Sequence, residues 1–329
     1  MRITKPSYFD SFRCIASRCP DSCCKEWDVQ VDQTAAEYYR NLSGALGDRL
    51  RQVLRETEYG TVMTIEDGRC PMWRRDGLCR IQAELGEQAL CQVCREFPRL
   101  HHDYGDFLEY GLELSCPEAA RLIFSSPVLP PVTEEAPGGE EPEYDTDAMA
   151  ILKATRKQAL QLLTLPRPVQ ERLALLLLYG YEAQGELDGE APRPFDPDQA
   201  LASAAAFAKP AGINAIAGFF RQLEILTDNW RILLQQAAPP ALSELCIPMA
   251  RYLIERYWLQ AVSDYDLTCR VKFITIACLL VSGLPGHFQE NAQLFSKEIE
   301  NNLSNVEAIL DAAYMHPAFT DDKLLGMLL

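Results

Sequence analysis

Long apolar runs are missing from this chain. The longest, Leu173 to Tyr179 and Phe273 to Val281, fall well short of the roughly 20 residues that span a bilayer, so no membrane partner is expected. The first residues, MRITKPSYFDSF, contain no apolar core of a secretory signal, and Arg2 stands where myristoylation needs glycine. Basic side chains are in deficit, 31 against 47 acidic for a formal charge of −16. That balance argues against nucleic acid, because phosphate binding needs a basic footprint. These absences leave a cytoplasmic protein as the expectation. The 329 residues, 48% of them apolar and 9% aromatic, suffice for two domains or one large one.

Cysteine is scarce in most of the chain and dense in one part. Nine of the twelve cysteines fall in residues 1–116. Cytosolic thiols stay reduced, so such density points to metal rather than to disulfides. The organisation follows from composition. Residues 1–126 read as a cysteine-rich metal-cluster domain with short strands. Residues 127–145, PVLPPVTEEAPGGEEPEYD, are an acidic Pro/Gly/Glu linker that cannot pack a core. Residues 146–329 read as an all-helical domain punctuated by prolines, with helices expected at 146–164, 168–184, 197–208, 212–237, 240–262, 265–283, 287–311 and 320–328. The fold class is therefore mainly α. Within the first part, helices are expected near 34–56 and 82–97, a strand at 107–114, and a helix capped by Ser115 with Glu118.

Written out, the cluster is Cys14-x4-Cys19-x3-Cys23-Cys24, Cys70, Cys79, Cys91-x2-Cys94 and Cys116. Metals need thiolates from several segments, because one short segment rarely reaches all corners of a tetrahedron or cubane. Short local spacings joined by distant singletons have that form. Cys91 and Cys94 lie three apart on an expected helix and so leave one face. Cys116 would open a helix whose dipole lowers a thiol pKa. Only one C-x2-C occurs, whereas paired zinc sites usually show two; the irregular spacing favours iron–sulfur, with zinc as the alternative. Cys246, Cys269 and Cys278 fall in apolar helical stretches and read as core.

In combination, FRCIASRCPDSCCKEWDV, the elements at Cys70 and Leu78, ALCQVCREFPR and LSCPEAARL resemble the flagellin lysine-N-methylases of flagellated bacteria. They are also similar to a wider group of small cysteine-cluster proteins whose pattern ends in cysteine followed by Arg-x-Phe-Pro. The resemblance covers residues 12–122. It implies an S-adenosylmethionine-dependent protein-lysine methyltransferase with an iron–sulfur cluster, 4Fe–4S in type, acting on flagellin surface lysines in the cytoplasm. Its ligand candidates are Cys19, Cys23, Cys24, Cys70, Cys79, Cys91, Cys94 and Cys116, with Cys14 beside them. A non-enzymatic iron–sulfur or zinc protein, serving electron transfer or interaction, is the alternative. The radical signature C-x3-C-x2-C is not met, since Glu26 follows Cys23 at the third position. No G-x-G loop marks a Rossmann-type methyltransferase either.

No catalytic residue is assigned from the sequence. Arg95 and Arg99 are candidates for holding a cofactor carboxylate bidentately. Asp103, Tyr104, Glu109 and Tyr110 are candidates for contacts to an amine. His101 and His102 read as an exposed pair in a turn, and Trp27 as packing beneath the site.

Overall fold

In the computed structural model, which describes residues 1–58 and 60–329, short elements joined by loops fill the first third of the chain. They are β1 (Arg2–Lys5), β2 (Val29–Gln30), α1 (Gln33–Asn41), α2 (Gly44–Val53), β3 (Leu54–Thr57), β4 (Gly60–Met63), α3 (Arg80–Leu85), α4 (Gln92–Glu96), β5 (Arg99–Asp103), β6 (Phe107–Leu112) and α5 (Pro117–Ser125). After β7 (Val132–Glu135) come α6 (Thr146–Leu162), α7 (Val169–Leu187), α8 (Pro197–Phe207), α9 (Ile213–Phe220), α10 (Asp228–Gln235) and α11 (Cys246–Tyr257). The last are α12 (Thr268–Gly283), α13 (Phe288–Phe295), α14 (Leu303–Met315) and α15 (Asp321–Leu328). The protein is mainly α, as expected.

The expected helix over 34–56 is two helices and the start of a strand. Leu42 leaves the helical region, and Gly47 then packs so tightly on it that an added Cβ would lie 1.9 Å from the Leu42 carbonyl oxygen. The expected helix at 82–97 is likewise divided, because Gly86 has φ +89° and ends α3. Ser115 does not cap α5. Cys116 is the N-cap, Pro117 follows it, and the Ser115 hydroxyl donates instead to Glu113 Oε1 at 2.9 Å.

Two small sheets organise this part. One has the order β5-β6-β1-β7, with β1 parallel to β6 (Arg2 opposite Phe107) and antiparallel to β7 (Lys5 opposite Val132). A parallel pair needs a long crossover. Here the crossover from β1 to β6 carries all the N-terminal cysteines except Cys116. The other sheet, β2-β4-β3, is antiparallel and lies within that crossover. Residues 127–145 supply β7, and the Met1 ammonium donates to the carbonyls of Ala136 and Gly138, each at 2.9 Å. The exposed side chains of β7 account for the linker-like composition.

The helical part is built on α12, all of whose residues are buried. Its two cations are neutralised in place: Arg270 meets Asp264 at 2.8 Å and Lys272 meets Asp321 at 3.1 Å. Phe107, Leu114, Ala120 and Ile123 belong to the same apolar core as this helical body, so β6 and α5 are seated on it. The expected helix at 212–237 breaks into α9 and α10 because buried Glu298 accepts hydrogen bonds from the amides of Leu226 (2.7 Å) and Thr227 (2.9 Å). The expected helix at 287–311 breaks at a π-helical turn, Ser296–Glu300, whose five residues are all buried. Such turns in a helical ladder often accompany functional sites. Among the described residues, no helix is long and apolar enough to cross a membrane.

Candidate metal centre

Three irregular stretches of the crossover lie side by side. The Cys70 amide donates to the Cys24 carbonyl at 2.8 Å, Lys25 bridges to Arg69, and Trp73 bridges to Cys79. Opposite them, Cys91 is the N-cap of α4, which carries Cys94. Asp32 fixes that helix: its Oδ1 accepts from the Ala35 amide at 3.0 Å and its Oδ2 from the Gln92 amide at 2.7 Å. Tyr39 adds a bond from its hydroxyl to the Ala89 carbonyl at 2.7 Å. Cys70 and Cys91 are buried in one apolar cluster with Tyr39, Met63, Met72 and Ile81, and Cys24, Cys79 and Cys94 pack against it.

The thiols interact directly. The Cys70 thiol donates to Met63 Sδ at 3.6 Å, and the interaction of Cys24 with Cys23 and Cys70 lowers the Cys24 pKa while raising theirs. Cys91 and Cys94 form a second pair, in which their interaction lowers the pKa of Cys91 and raises that of Cys94. Cys79 lies within electrostatic reach of both Cys24 and Cys91, and burial raises its pKa. A metal binding these thiols would displace their protons.

The remaining three cysteines are placed apart. Cys14 and Cys19 lie near the surface, and Cys116 is buried with Phe9, Phe12 and Leu112 in a separate small cluster. Cys23 lies between the two groups, within electrostatic reach of Cys14 and Cys116. The helix start does not make Cys116 acidic. Burial outweighs the nearby amides of Ala119 and Glu118 and pushes its thiol up to about 11. Cys246, Cys269 and Cys278 are buried in the helical body, as expected.

What the sequence did not disclose is the seat of this region. Lys297, 2% exposed and on the π turn, lies 2.8 Å from Asp21 and 2.5 Å from Glu26, so it grips both sides of the Cys23–Cys24 dipeptide. Its ammonium also sits 5.3 Å from the centroid of Trp27, which is half-buried rather than core. Gln293, one turn earlier, donates to the Ser115 carbonyl at 2.5 Å, just before Cys116. The one local hint is a lysine in the otherwise apolar start of LFSKEIE; no spacing rule links it to residues 276 positions away.

The other expected site residues are dispersed. Arg95 is exposed on α4, and Arg99 opens β5 with its guanidinium 5.3 Å from the Phe12 ring centroid. Glu109 is occupied by Arg156, which donates both terminal nitrogens to it at 2.6 and 2.7 Å. Asp103 accepts from the Gly105 amide at 2.8 Å, and Tyr104 stacks on Phe107 at 4.6 Å. Tyr110 stacks between Phe9 (5.4 Å) and His101 (4.7 Å). His101 and His102 are not a turn pair. Both lie on β5, where alternation exposes His101 and turns His102 inward, leaving its buried Nε2 without a partner.

Among the described residues, no three His, Cys, Asp or Glu side chains are drawn up around a common point for a metal ion. The donor set, soft thiols in an apolar setting with lysine and arginine close by, suits thiolate-bound zinc or iron–sulfur in kind. A cysteine-rich part built on short strands and loops is thus seated on an all-helical body.

Comparison with known proteins narrows that description. The chain is 33% identical over 132 residues to the "Flagellar biosynthetic protein FliU" of Salmonella muenchen, across 38% of this chain and 78% of the relative. It is 31% identical over 132 residues to proteins named "Lysine-N-methylase" from Salmonella typhimurium and Salmonella choleraesuis, in each case across 33% of the relative's length. No family model matches the chain, and no solved structure gives a significant match. The chain belongs to the flagellin lysine-N-methylase family, which includes FliU.

Proposed function

We propose that the protein is a lysine N-methyltransferase acting on flagellin in the cytoplasm, with an iron–sulfur cluster on its N-terminal cysteines and S-adenosylmethionine as methyl donor. What supports this reading is the relation to proteins named Lysine-N-methylase, together with the packing of Cys24, Cys70, Cys79, Cys91 and Cys94 in or against one apolar cluster, with Cys23 next in sequence. These six are the first choice of cluster ligands, with Cys14, Cys19 and Cys116 as a separate neighbouring set. The methyl donor supplies an electrophilic methyl group. The chain's own part is to hold a lysine, exclude water from it and align its amine, since desolvation and orientation carry most of the cost of such a transfer. Arg95 and Arg99 are the cations at the α4–β5 junction open to a cofactor carboxylate.

The test is co-expression with flagellin and anaerobic purification. Mass spectrometry is expected to find 14 Da increments on flagellin lysines (one methyl replacing one hydrogen, about 14 Da by composition) and the protein to be brown with iron and sulfide. Unmodified flagellin beside cluster-replete protein overturns the enzymatic reading; zinc in place of iron overturns the cluster assignment.

A further inference from the structure

A cavity of about 170 Å³ lies where the four-stranded sheet meets the helical body, bounded by β1, β5, β6, the segment after α5, α6 and α11. Leu100, Leu112, Ile123 and Leu160 give it an aliphatic wall, and Val128 and Leu129, both more than half exposed, stand at its mouth. No cysteine lines it, so it is separate from the thiol cluster.

In a chain of net charge −16 this lining is basic: Lys5, Arg156, Arg251 and Arg256 stand against only Glu109 and Glu255. Three of the four cations are engaged. Lys5 meets Asp10 and Glu134, each at 2.8 Å and both outside the lining. Arg156 holds both oxygens of Glu109. Arg256 donates to the Tyr252 hydroxyl at 2.7 Å and lies 3.3 Å from Glu300.

Arg251 differs from these. It gives only its Nε, to Glu255 Oε1 at 2.9 Å, and among the described residues its two terminal nitrogens donate to nothing. Neither of those nitrogens is buried. Glu255 therefore fixes the guanidinium and leaves its fork open. Tyr8 lines the same cavity, and its hydroxyl, also without a hydrogen-bond partner, is within electrostatic reach of Arg251.

The groups left over at this corner are thus donors, and they call for an acceptor from outside the chain. A planar guanidinium fork matches a carboxylate through two parallel N–H···O bonds. The aliphatic wall calls for an apolar body on the same ligand. Size limits that body, since a cavity of about 150 Å³ holds one benzene ring. A nucleotide is too large for it, inorganic phosphate would leave the apolar wall unused, and an ammonium would meet a basic lining.

We propose that the 170 Å³ cavity binds a small monocarboxylic acid, its carboxylate on the terminal nitrogens of Arg251 and the Tyr8 hydroxyl and its apolar body, about one ring in size, against the aliphatic wall. The site goes beyond the methyltransferase reading and does not depend on it. Only binding is proposed, with no bond made or broken.

Ligand-observed NMR titration of the full chain tests it, with benzoate as probe. Benzamide, the neutral isostere, and acetate, which lacks the ring, are each expected to bind about tenfold more weakly. Arg251→Met is expected to weaken benzoate about tenfold with benzamide little changed, Tyr8→Phe to weaken benzoate about threefold, and Leu160→Trp, which fills the cavity, to abolish binding. Circular dichroism confirms that each variant is folded. If Arg251→Met unfolds because Glu255 loses its partner, Tyr8→Phe, which breaks no hydrogen bond of the chain, decides in its place. Equal binding of benzoate and benzamide, tighter binding of benzylamine than of benzoate, or indifference to both Arg251→Met and Tyr8→Phe overturns the proposal. Competition by S-adenosylhomocysteine also overturns it, since the cavity then belongs to the methyl donor.

Discussion

Lys297 Nζ lies 2.8 Å from Asp21 Oδ2, across 276 positions of sequence. This contact, with the Glu26 ion pair beside it, is where the helical body takes hold of the vicinal cysteines. The lysine is almost fully buried, so its charge is tolerated only because two carboxylates answer it. Both carboxylates keep part of their contact with water, and they straddle Cys23 and Cys24.

Removing the lysine leaves those carboxylates facing an apolar seat. Lys297→Met is expected to cost about 3 kcal/mol, the usual size for breaking one side of a buried pair. Urea unfolding measures it. The double variant Lys297→Met, Asp21→Asn is expected to recover part of the loss, and no recovery excludes the pair as the cause.

Metal content separates the cysteines. Cys24→Ser and Cys91→Ser each remove a thiol from the apolar cluster and are expected to abolish bound metal in anaerobically purified protein. Cys246→Ser, in the helical core, is expected to retain it. Elemental analysis per mole of protein decides, and full metal in both N-terminal variants sinks the ligand assignment.

Asp32 caps α1 with one oxygen and holds the first amide of α4 with the other. Asp32→Ala is expected to cost about 1–2 kcal/mol in stability, the range for a lost helix cap. These two bonds depress the Asp32 pKa, so their contribution is present above about pH 4 and lost as the pH falls below it. A chemical-denaturation series from pH 7 to pH 3 is expected to show the gap between wild type and variant closing at the acid end.

His102 has the reverse chemistry and the same sign. Burial holds its pKa down to about 4, against about 6.5 in an unfolded chain. Below pH 6.5 the unfolded chain takes up a proton that the folded imidazole refuses. Stability is therefore full above pH 6.5 and declines as the pH falls toward 4, by as much as about 3 kcal/mol. His102→Asn is expected to flatten this slope; equal slopes in wild type and variant exclude His102 as its source.

Several local features were legible in the residues. Proline and glycine punctuation located most helices of the C-terminal part, because those residues act on their own backbone whatever surrounds them. The paired spacing of Cys91 and Cys94 held for the same reason: neighbours three apart at a helix start meet regardless of the rest of the fold. Local rules failed where a distant group supplied a better partner. Glu298 took the amides that would have continued α9 into α10, and Arg156 took Glu109 away from any amine.

By itself, the sequence determined a mainly α protein with a thiol-rich N-terminal third and an acidic stretch after it. Those properties depend on composition and short spacing. Tertiary structure alone decided which thiols meet, what seats them and where a buried cavity opens. It joined Cys24 to Cys70 and Lys297 to Asp21, turned His102 inward, and made residues 132–135 a sheet edge. Each of these depends on packing between segments far apart in the chain, where no periodicity carries the information and only the balance of burial and charge selects the partner.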